Sequence, residues 1–232
     1  MNVDLAHKGT MLSVLACDPA TGTLGIALAS SSIAIGSRCP HLETGRAALT
    51  SQGFTNLKVG PLALDLIRCG LSSEEVLEAL RQHDRWLEYR QIGIIRADGQ
   101  AAAYTGSMAR GWAGHLAAEN LLCLGNGLPE QGGALELAAA AWAAHPGLPM
   151  DERLLRALES VKAALGAGFP VVSASLLMRS PQEESQIDLR ADMPSRPVED
   201  GGNALADLRR LHAEYLPLVE IYAARSVAPQ PF

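Results

Sequence analysis

The residues of this chain that could act as nucleophiles carry hydroxyl groups. Thr10 stands directly after Gly9 and directly before the first predicted strand, and Ser13 lies within that strand. A hydroxyl at the start of a strand becomes a nucleophile once the preceding bond is cleaved, because the freed α-amine, with a pKa of about 8, can take its proton. The alternative is structural: Thr10 is a β-branched residue entering a strand, and Ser13 is a small residue that lets two sheets approach.

Three further residues could assist such a nucleophile. Ser31 follows the second predicted strand, and His115 could act as an acid or a base near neutral pH. Asn126, between two glycines, could place its amide and nearby backbone N–H groups around an oxyanion. Consecutive serines and a Gly-Asn-Gly run are also typical of turns, and many histidines simply lie at the surface. A structural role is therefore the alternative for each.

Four side chains could bind a small molecule. Arg90 could hold a carboxylate through two parallel hydrogen bonds, and Trp112 is notable in a chain that is only 4% aromatic. Gln52 and Asn56 could supply polar groups to a pocket, or they could merely order their loop. An exposed or helix-paired arginine and a packed tryptophan are the alternatives for the first two.

The composition excludes several classes of protein. The 232 residues include 19 Lys+Arg and 25 Asp+Glu, a net charge of −6, which leaves no basic surface for nucleic acid. The six histidines and four cysteines lack H-x-x-x-H and C-x-x-C spacings, so we predict no metal, no other cofactor and reduced thiols. No apolar run approaches the roughly 20 residues of a membrane span, and no signal sequence is recognisable. We expect a cytoplasmic protein with a small-molecule ligand.

The elements that must position these residues are predicted in pairs. Three strand pairs are indicated by apolar runs around turns, namely 11–17 with 23–30, 91–97 with 100–105, and 171–179 with 185–191. Two helix pairs are indicated, namely 60–69 with a helix that begins at the Ser72–Glu75 capping box, and 133–144 with 150–166. Single elements complete the prediction: a loop over 31–45, strands over 46–52 and 121–124, and a helix over 204–224 bent at Pro217.

This order of elements predicts the fold class. Strands joined by hairpins imply antiparallel sheets, and helices that arrive in pairs imply that each pair covers one face of a sheet. We therefore predict an α+β protein in which two antiparallel sheets pack together between helix layers, a four-layer α-β-β-α sandwich. It would form a single domain over residues 11–232, after a flexible leader over residues 1–10.

A combination of phrases runs through the chain. The phrases lie in residues 12–36, 52–61, 89–91, 105–106, 112–115, 125–126 and 187–190, and the best-matching ones are Ser13–Gly22 and Gly60-Pro61 followed by residues 70–75. Together they resemble the bacterial domain of unknown function 1028 family, from Met11 to Tyr215. The resemblance implies the fold of the N-terminal-nucleophile (Ntn) hydrolases, which is the same four-layer sandwich. It also implies an amide hydrolase that acts on a small metabolite by acyl transfer.

The chain departs from that family at positions expected to do chemistry. Members usually begin Thr-x-Ser, with the threonine as nucleophile. Alignment on Ser13 puts Met11 at the threonine and Thr10 one residue earlier, on the opposite face of the strand. An apolar segment over residues 169–172 replaces a charged, glycine-rich one, and Ser31 replaces a basic position.

Two functions follow from the matches and the departures. The first is an amide hydrolase that uses Thr10 or Ser13. Residues 1–9 would have to be removed before Thr10 could act, so the chain is then either a precursor or a relative that is no longer processed. The second is a catalytically silent relative that binds a small molecule, which Met11 and the apolar segment favour. Four-layer sandwiches often assemble through their helix faces, which predicts a homodimer.

Overall fold

A computed structural model describes residues 9–129, 133–181 and 186–229 of the chain. Its strands are β1 (Met11–Asp18), β2 (Thr23–Ser30), β3 (Pro40–Glu43), β4 (Ala47–Gly53), β5 (Arg90–Arg96), β6 (Ala101–Thr105), β7 (Trp112–Ala118), β8 (Leu121–Leu128), β9 (Ser173–Arg179) and β10 (Ile187–Ala191). Its α-helices are α1 (Val59–Arg68), α2 (Ser73–His83), α3 (Ala134–Ala143), α4 (Met150–Leu165), α5 (Ala204–Tyr215) and α6 (Val219–Val227). The predicted leader over 1–10 lies outside the described residues, apart from Gly9 and Thr10.

The strands form two antiparallel sheets that pack face to face. The larger sheet has the order β10-β9-β2-β1-β8-β7, and the smaller one has the order β3-β4-β5-β6. One buried cluster joins the larger sheet to α3, α4 and α5, a second lies between the sheets, and a third joins the smaller sheet to α1 and α2. The predicted four-layer α-β-β-α sandwich is thereby confirmed.

Strand β1 shows how the sequence builds these layers. Side chains alternate across a strand, and here Leu12 and Val14 pack under the helices while Met11 and Leu15 pack between the sheets. Nearly every residue of β1 is buried because both faces of its sheet are covered. Ser13 lies on the Met11 face, as the alternation predicts, and is therefore enclosed between the two sheets.

Close packing of the two sheets depends on a glycine in β5. A Cβ on Gly93 would lie 2.5 Å from Cδ1 of Leu124, on the facing strand β8. Any side chain at this position would push the sheets apart, because interiors are packed too densely to absorb the added volume. Gly93 therefore sets the sheet separation two residues from Gln91, which belongs to the site described below.

The local signals of the sequence are confirmed where they were strongest. The three predicted hairpins form β1–β2, β5–β6 and β9–β10, although the predicted start of the last strand, residue 185, lies outside the described residues. Ser72 and Glu75 make both hydrogen bonds of the capping box that begins α2. The last predicted helix is interrupted by a 3-10 turn at Leu216–Leu218, which contains Pro217.

Three predictions of secondary structure are wrong. Residues 31–45, predicted as a loop, contain a 3-10 turn at Ile35–Ser37 and the edge strand β3. Strand β7 was not predicted, because a half-exposed strand rich in Ala and Gly has no apolar alternation to reveal it. Strand β8 runs on to Leu128, so Asn126 lies within a strand and not in a turn.

The helices of the described ranges are short or polar. None combines the length and the apolar character that a membrane-spanning helix requires.

The edge strand β3 carries a histidine packed under helix α1. A Cβ on Gly60 of α1 would lie within 3.0 Å of the His41 ring, so only glycine lets the helix approach this closely. Nε2 of His41 is buried and has no hydrogen-bond partner among the described residues. Burial lowers the pKa of His41, against the opposing effect of a backbone hydrogen bond at Arg38.

Stability should therefore fall as the pH drops below about 6.5, the ordinary pKa of a histidine in an unfolded chain. The lowered pKa of folded His41 means that the unfolded state binds more protons in this range, which favours unfolding. Urea unfolding at about pH 7.5 and about pH 5.5 measures the decline. We expect His41→Gln to reduce this loss of stability. Part of the loss should remain in the variant, because burial also lowers the pKa of His115. An equal decline in both proteins would contradict this assignment.

Candidate functional site

A cavity of about 440 Å³ opens at one end of the sandwich. Strand β1 begins there, and its antiparallel neighbours β2 and β8 end there, because register pairs Met11 with Ser30 and with Asn126. Strand β4 of the smaller sheet ends at the same cavity with Gly53. The topology therefore brings Thr10, which directly precedes β1, to the mouth of the cleft between the sheets.

The backbone of Thr10 is held on both sides by Ser30, the last residue of β2, and by Ser31, which follows it. Its amide N–H donates to Oγ of Ser31 at 2.8 Å, and its carbonyl accepts from N of Ser31 at 3.0 Å and from Oγ of Ser30 at 2.9 Å. The Thr10 side chain is 6% exposed, and its Oγ1 has no hydrogen-bond partner among the described residues. Thr10 thus lines the cavity with a fixed backbone, while its buried hydroxyl has no partner in the part of the chain that the structure describes.

A glycine of β8 fixes the peptide between Gly9 and Thr10. Gly127 has a φ of +64°, and a Cβ there would lie well within 3.0 Å of the Gly9 carbonyl oxygen. Only glycine combines this backbone conformation with so close an approach. The bond that an N-terminal nucleophile would have to cleave is therefore packed directly against β8.

The two other residues at the nucleophile end of β1 carry no reactive group into the cavity. Met11, the residue that alignment on Ser13 puts at the expected threonine, is 6% exposed and packs in the cluster between the sheets. Ser13 is fully buried, and its Oγ donates to Oε1 of Gln52. A substrate cannot reach Ser13, so its structural interpretation is the better one.

Ser13 belongs to a buried network of amides that crosses both sheets. Nε2 of Gln52 donates to Oε1 of Gln91 at 2.6 Å, and Nδ2 of Asn126 donates to the same oxygen at 3.1 Å. Nε2 of Gln91 in turn reaches the carbonyls of Gly114 at 2.8 Å and Gly125 at 3.1 Å. This Gln91 network ties β4 and β5 to β7 and β8, and amide groups hold geometry without taking up protons.

His115 lies at the far side of this network. Its Nδ1 is 2.9 Å from Oγ1 of Thr105, which also accepts from Gln91 at 2.9 Å. Burial of part of the ring lowers the pKa of His115. His115 is not among the residues that line the cavity, and amide groups stand between it and Asn126. Among the residues that the structure describes, no histidine lines the cavity as a base for Thr10.

Arg90 and Asn56, predicted to bind a ligand, both hold Asp84. Nε of Arg90 is 2.5 Å and Nδ2 of Asn56 is 2.9 Å from the same carboxylate oxygen, and Arg90 also bonds the Phe54 carbonyl. Burial by itself raises the pKa of Asp84, but these hydrogen bonds outweigh it and hold the pKa below its usual value. Their cluster orders the loop beside the cavity, and neither side chain lines it.

Trp112 and the apolar segment over residues 169–172 lie on the helix side of the larger sheet. The Trp112 ring packs near Gly125 and Leu135, away from the cleft between the sheets. Phe169 is fully buried in the cluster under the helices. The structural interpretation of Trp112 is thus the better one, and the segment that departs from the family is core.

Several residues of the cavity were not singled out from the sequence. Arg38 and Arg110 line it with Phe54 and Leu57, which are 41% and 60% exposed. The Arg110 guanidinium lies 4.3 Å from the centroid of the Phe54 ring, within cation–π range. These four side chains come from loops that no local motif marks, so only the fold brings them together.

A second cavity, of about 830 Å³, lies at the opposite end of the β1–β2 hairpin. Its lining includes Asp151, which is hydrogen-bonded to buried His212 at 2.6 Å, and Arg153, which stacks on Trp142 at 3.5 Å. These polar groups already have partners within the protein. In the described ranges, no group of three His, Cys, Asp or Glu side chains could hold a metal ion.

Comparison with known proteins bears on the fold and the family. The crystal structure of protein SPO2555 from Silicibacter pomeroyi is 27% identical, with a TM-score of 0.80 over 89% of this chain and 86% of that one. Anbu, the ancestral beta-subunit from Yersinia bercovieri, is more distant: 14% identical, with a TM-score of 0.38 over 92% and 96% of the two chains. No curated protein matches the sequence.

The family comparison agrees with the phrases found in the sequence. The model of the family of unknown function DUF1028 matches residues 11–201, most of the chain. SPO2555 carries the same family assignment. This chain therefore belongs to the DUF1028 family.

Proposed function

We propose that this protein is a catalytically silent member of its family that binds a small molecule in the cavity at Thr10. The observation that carries the proposal is the state of the β1 strand: Met11 stands where the nucleophile is expected, and Ser13 is sealed between the sheets. His115, the candidate base, is separated from the cavity by the Gln91 network. What the site retains is an open cavity with ordered polar groups around it.

A second function, an amide hydrolase with Thr10 as nucleophile, is favoured by one observation. The Thr10 hydroxyl is buried and has no partner among the described residues, and it directly follows the Gly9 carbonyl, whose carbon it would attack in an acyl shift. That chemistry would need cleavage of the Gly9–Thr10 bond, after which the α-amine could act as the base. With the bond intact, the Thr10 nitrogen is an amide that donates to Ser31 and cannot take up a proton.

Covalent labelling separates the two functions. We expect fresh and aged protein treated with a hydroxyl-reactive β-lactone to keep its intact mass, with no label on any serine or threonine of the cavity. Peptide mapping after intact mass spectrometry measures this. Label on Thr10 together with loss of residues 1–9 would establish the hydrolase and contradict the silent function; label on Ser31 in an uncleaved chain would also contradict it.

The proposed binding function also requires that a small molecule be found to bind in the cavity. Saturation-transfer NMR with a mixed library of small acids, amines and neutral molecules should find binders whose signals disappear in the Ser32→Trp variant. Ser32 is exposed at the cavity, so an indole there fills the opening, while its backbone bonds to Ser30 and Ser173 are kept. Binders that are unaffected by Ser32→Trp, or no binders at all, would contradict the proposal.

We further propose that the protein acts in the cytoplasm as a homodimer. Composition supports the first statement, and the tendency of four-layer sandwiches to assemble through helix faces supports the second. Exposed apolar side chains on and before α6, including Leu216 and Ile221, are available to such an interface. Sedimentation velocity distinguishes a dimer from a monomer.

A further inference from the structure

We propose that the ligand of the Thr10 cavity is a small carboxylate with an apolar body, an inference that rests on the binding function proposed above. Two guanidinium groups, of Arg38 and Arg110, belong to the lining of this cavity. Among the described residues, the lining contains no aspartate or glutamate. In a chain of net charge −6, a cavity with only positive charges favours an anion over a cation or a neutral molecule.

Both arginines have donors available for an anionic group in the cavity. Arg38 is exposed, and its Nη2 donates a hydrogen bond to the Ile33 carbonyl at 2.9 Å. This bond orients the side chain and leaves its other donors available. Arg110 lies over the Phe54 ring, which fixes its plane at the opening of the cavity. A planar carboxylate matches the paired donors of a guanidinium, and such charge-assisted bonds are the strong ones.

The unpaired hydroxyl of Thr10 is a second, independent indication of a polar ligand. Its Oγ1 is buried at the cavity without a partner among the described residues, and buried polar groups are otherwise nearly always paired. An oxygen of a bound molecule would satisfy this donor. The Thr10 hydroxyl would then serve this chain as a binding group.

The rest of the cavity fits an apolar body. Met11 and Ile35 are buried in its wall, while Phe54 and Leu57 are large apolar side chains exposed at its rim. Exposed apolar side chains beside a cavity are typical of sites that bind the hydrophobic part of a ligand. A compound with a carboxylate at one end and a ring or chain at the other would contact both sets of residues.

The test compares phenylacetate with 2-phenylacetamide, its neutral counterpart of the same shape. Isothermal titration or ligand-observed NMR should show that phenylacetate binds the wild-type protein at least about tenfold more tightly than the amide, as expected for charge-assisted bonds. Arg38→Gln and Arg110→Gln should each weaken phenylacetate binding about tenfold and leave amide binding unchanged. Arg210→Gln is the matched control, because Arg210 is an exposed arginine on α5 that pairs only with Glu214 in the described ranges.

The possible failures are distinguishable. If both probes bind equally and Ser32→Trp abolishes both, the anion inference is overturned while the binding function stands. If phenylacetate binds wild type but neither arginine variant weakens it, the inference is also overturned. If neither probe binds, the inference is overturned, and the library screen with Ser32→Trp decides the binding function by itself.

Discussion

Replacing Gln91 with methionine should lower the free energy of unfolding by about 3 kcal/mol, the sum of several groups left unpaired in the interior. Methionine keeps the length of the side chain but removes its oxygen and nitrogen. The amides of Gln52 and Asn126 would lose their acceptor, and the carbonyls of Gly114 and Gly125 would lose their donor. All of these atoms lie between or within the sheets, where water cannot replace the missing partner.

Chemical denaturation of purified protein measures the Gln91 effect, provided that the transition has two states. Gln82→Met is the matched control: Gln82 is exposed on α2, and we expect its substitution to change stability by less than about 0.5 kcal/mol. If Gln91→Met stays within about 1 kcal/mol of wild type, the network does not stabilise the contact between the sheets as proposed.

Replacing Gly127 with alanine should remove ligand binding and cost about 2 kcal/mol of stability. The first cause is a backbone with φ of +64°, which a residue with a Cβ adopts at a cost. The second is the Gly9 carbonyl, which the new methyl group would displace. Because Thr10 follows Gly9, its hydroxyl would move out of the cavity, and we expect phenylacetate affinity to fall at least about tenfold.

A second glycine separates the two causes. Gly201 has a φ of +80° and no atom within 4 Å of where a Cβ would lie, so Gly201→Ala has the backbone cost without the clash. We expect this control to lose about 1 kcal/mol and to bind phenylacetate as wild type does. Unchanged binding in Gly127→Ala would contradict the placement of Gly9 and Thr10 at the site.

The parts of the fold that could be predicted from the sequence are those with local causes. The Asp98-Gly99 turn and the Ser72–Glu75 capping box act through residues next to each other, and both are present. The order of the predicted strand pairs and helix pairs then led to the prediction that each pair of helices covers one face of a sheet. Strand β3 has only four residues and β7 is a half-exposed run rich in Ala and Gly, so both have weak local signals.

The site was predictable only in part, and for the same reason. Thr10 and Asn126 were predicted at the site, and both line the cavity. Arg90 and Asn56 were predicted as ligand-binding groups, but both hold Asp84, a partner 6 and 28 residues away that no spacing rule indicates. Arg38 and Arg110 gave no signal, because isolated arginines in loops are common and only the folded chain brings these two to one cavity.

Under the silent function that we propose, this chain keeps the fold of its family without a nucleophile. The sandwich, the cavity at the start of β1 and the buried amides are all present. Met11, the residue that alignment on Ser13 puts at the expected threonine, contributes apolar packing between the sheets. Fold does not fix function, so the chemistry of this member has to be argued from its own residues.

The most direct test of this account is a crystal structure of the full chain soaked with phenylacetate. We predict that the molecule lies in the Thr10 cavity with its carboxylate about 3 Å from donors of Arg38 and Arg110. No bond should join it to Oγ1 of Thr10, and the Gly9–Thr10 peptide should be intact. A cavity that excludes phenylacetate, or a chain cleaved before Thr10 with a covalent adduct on its hydroxyl, would contradict the account.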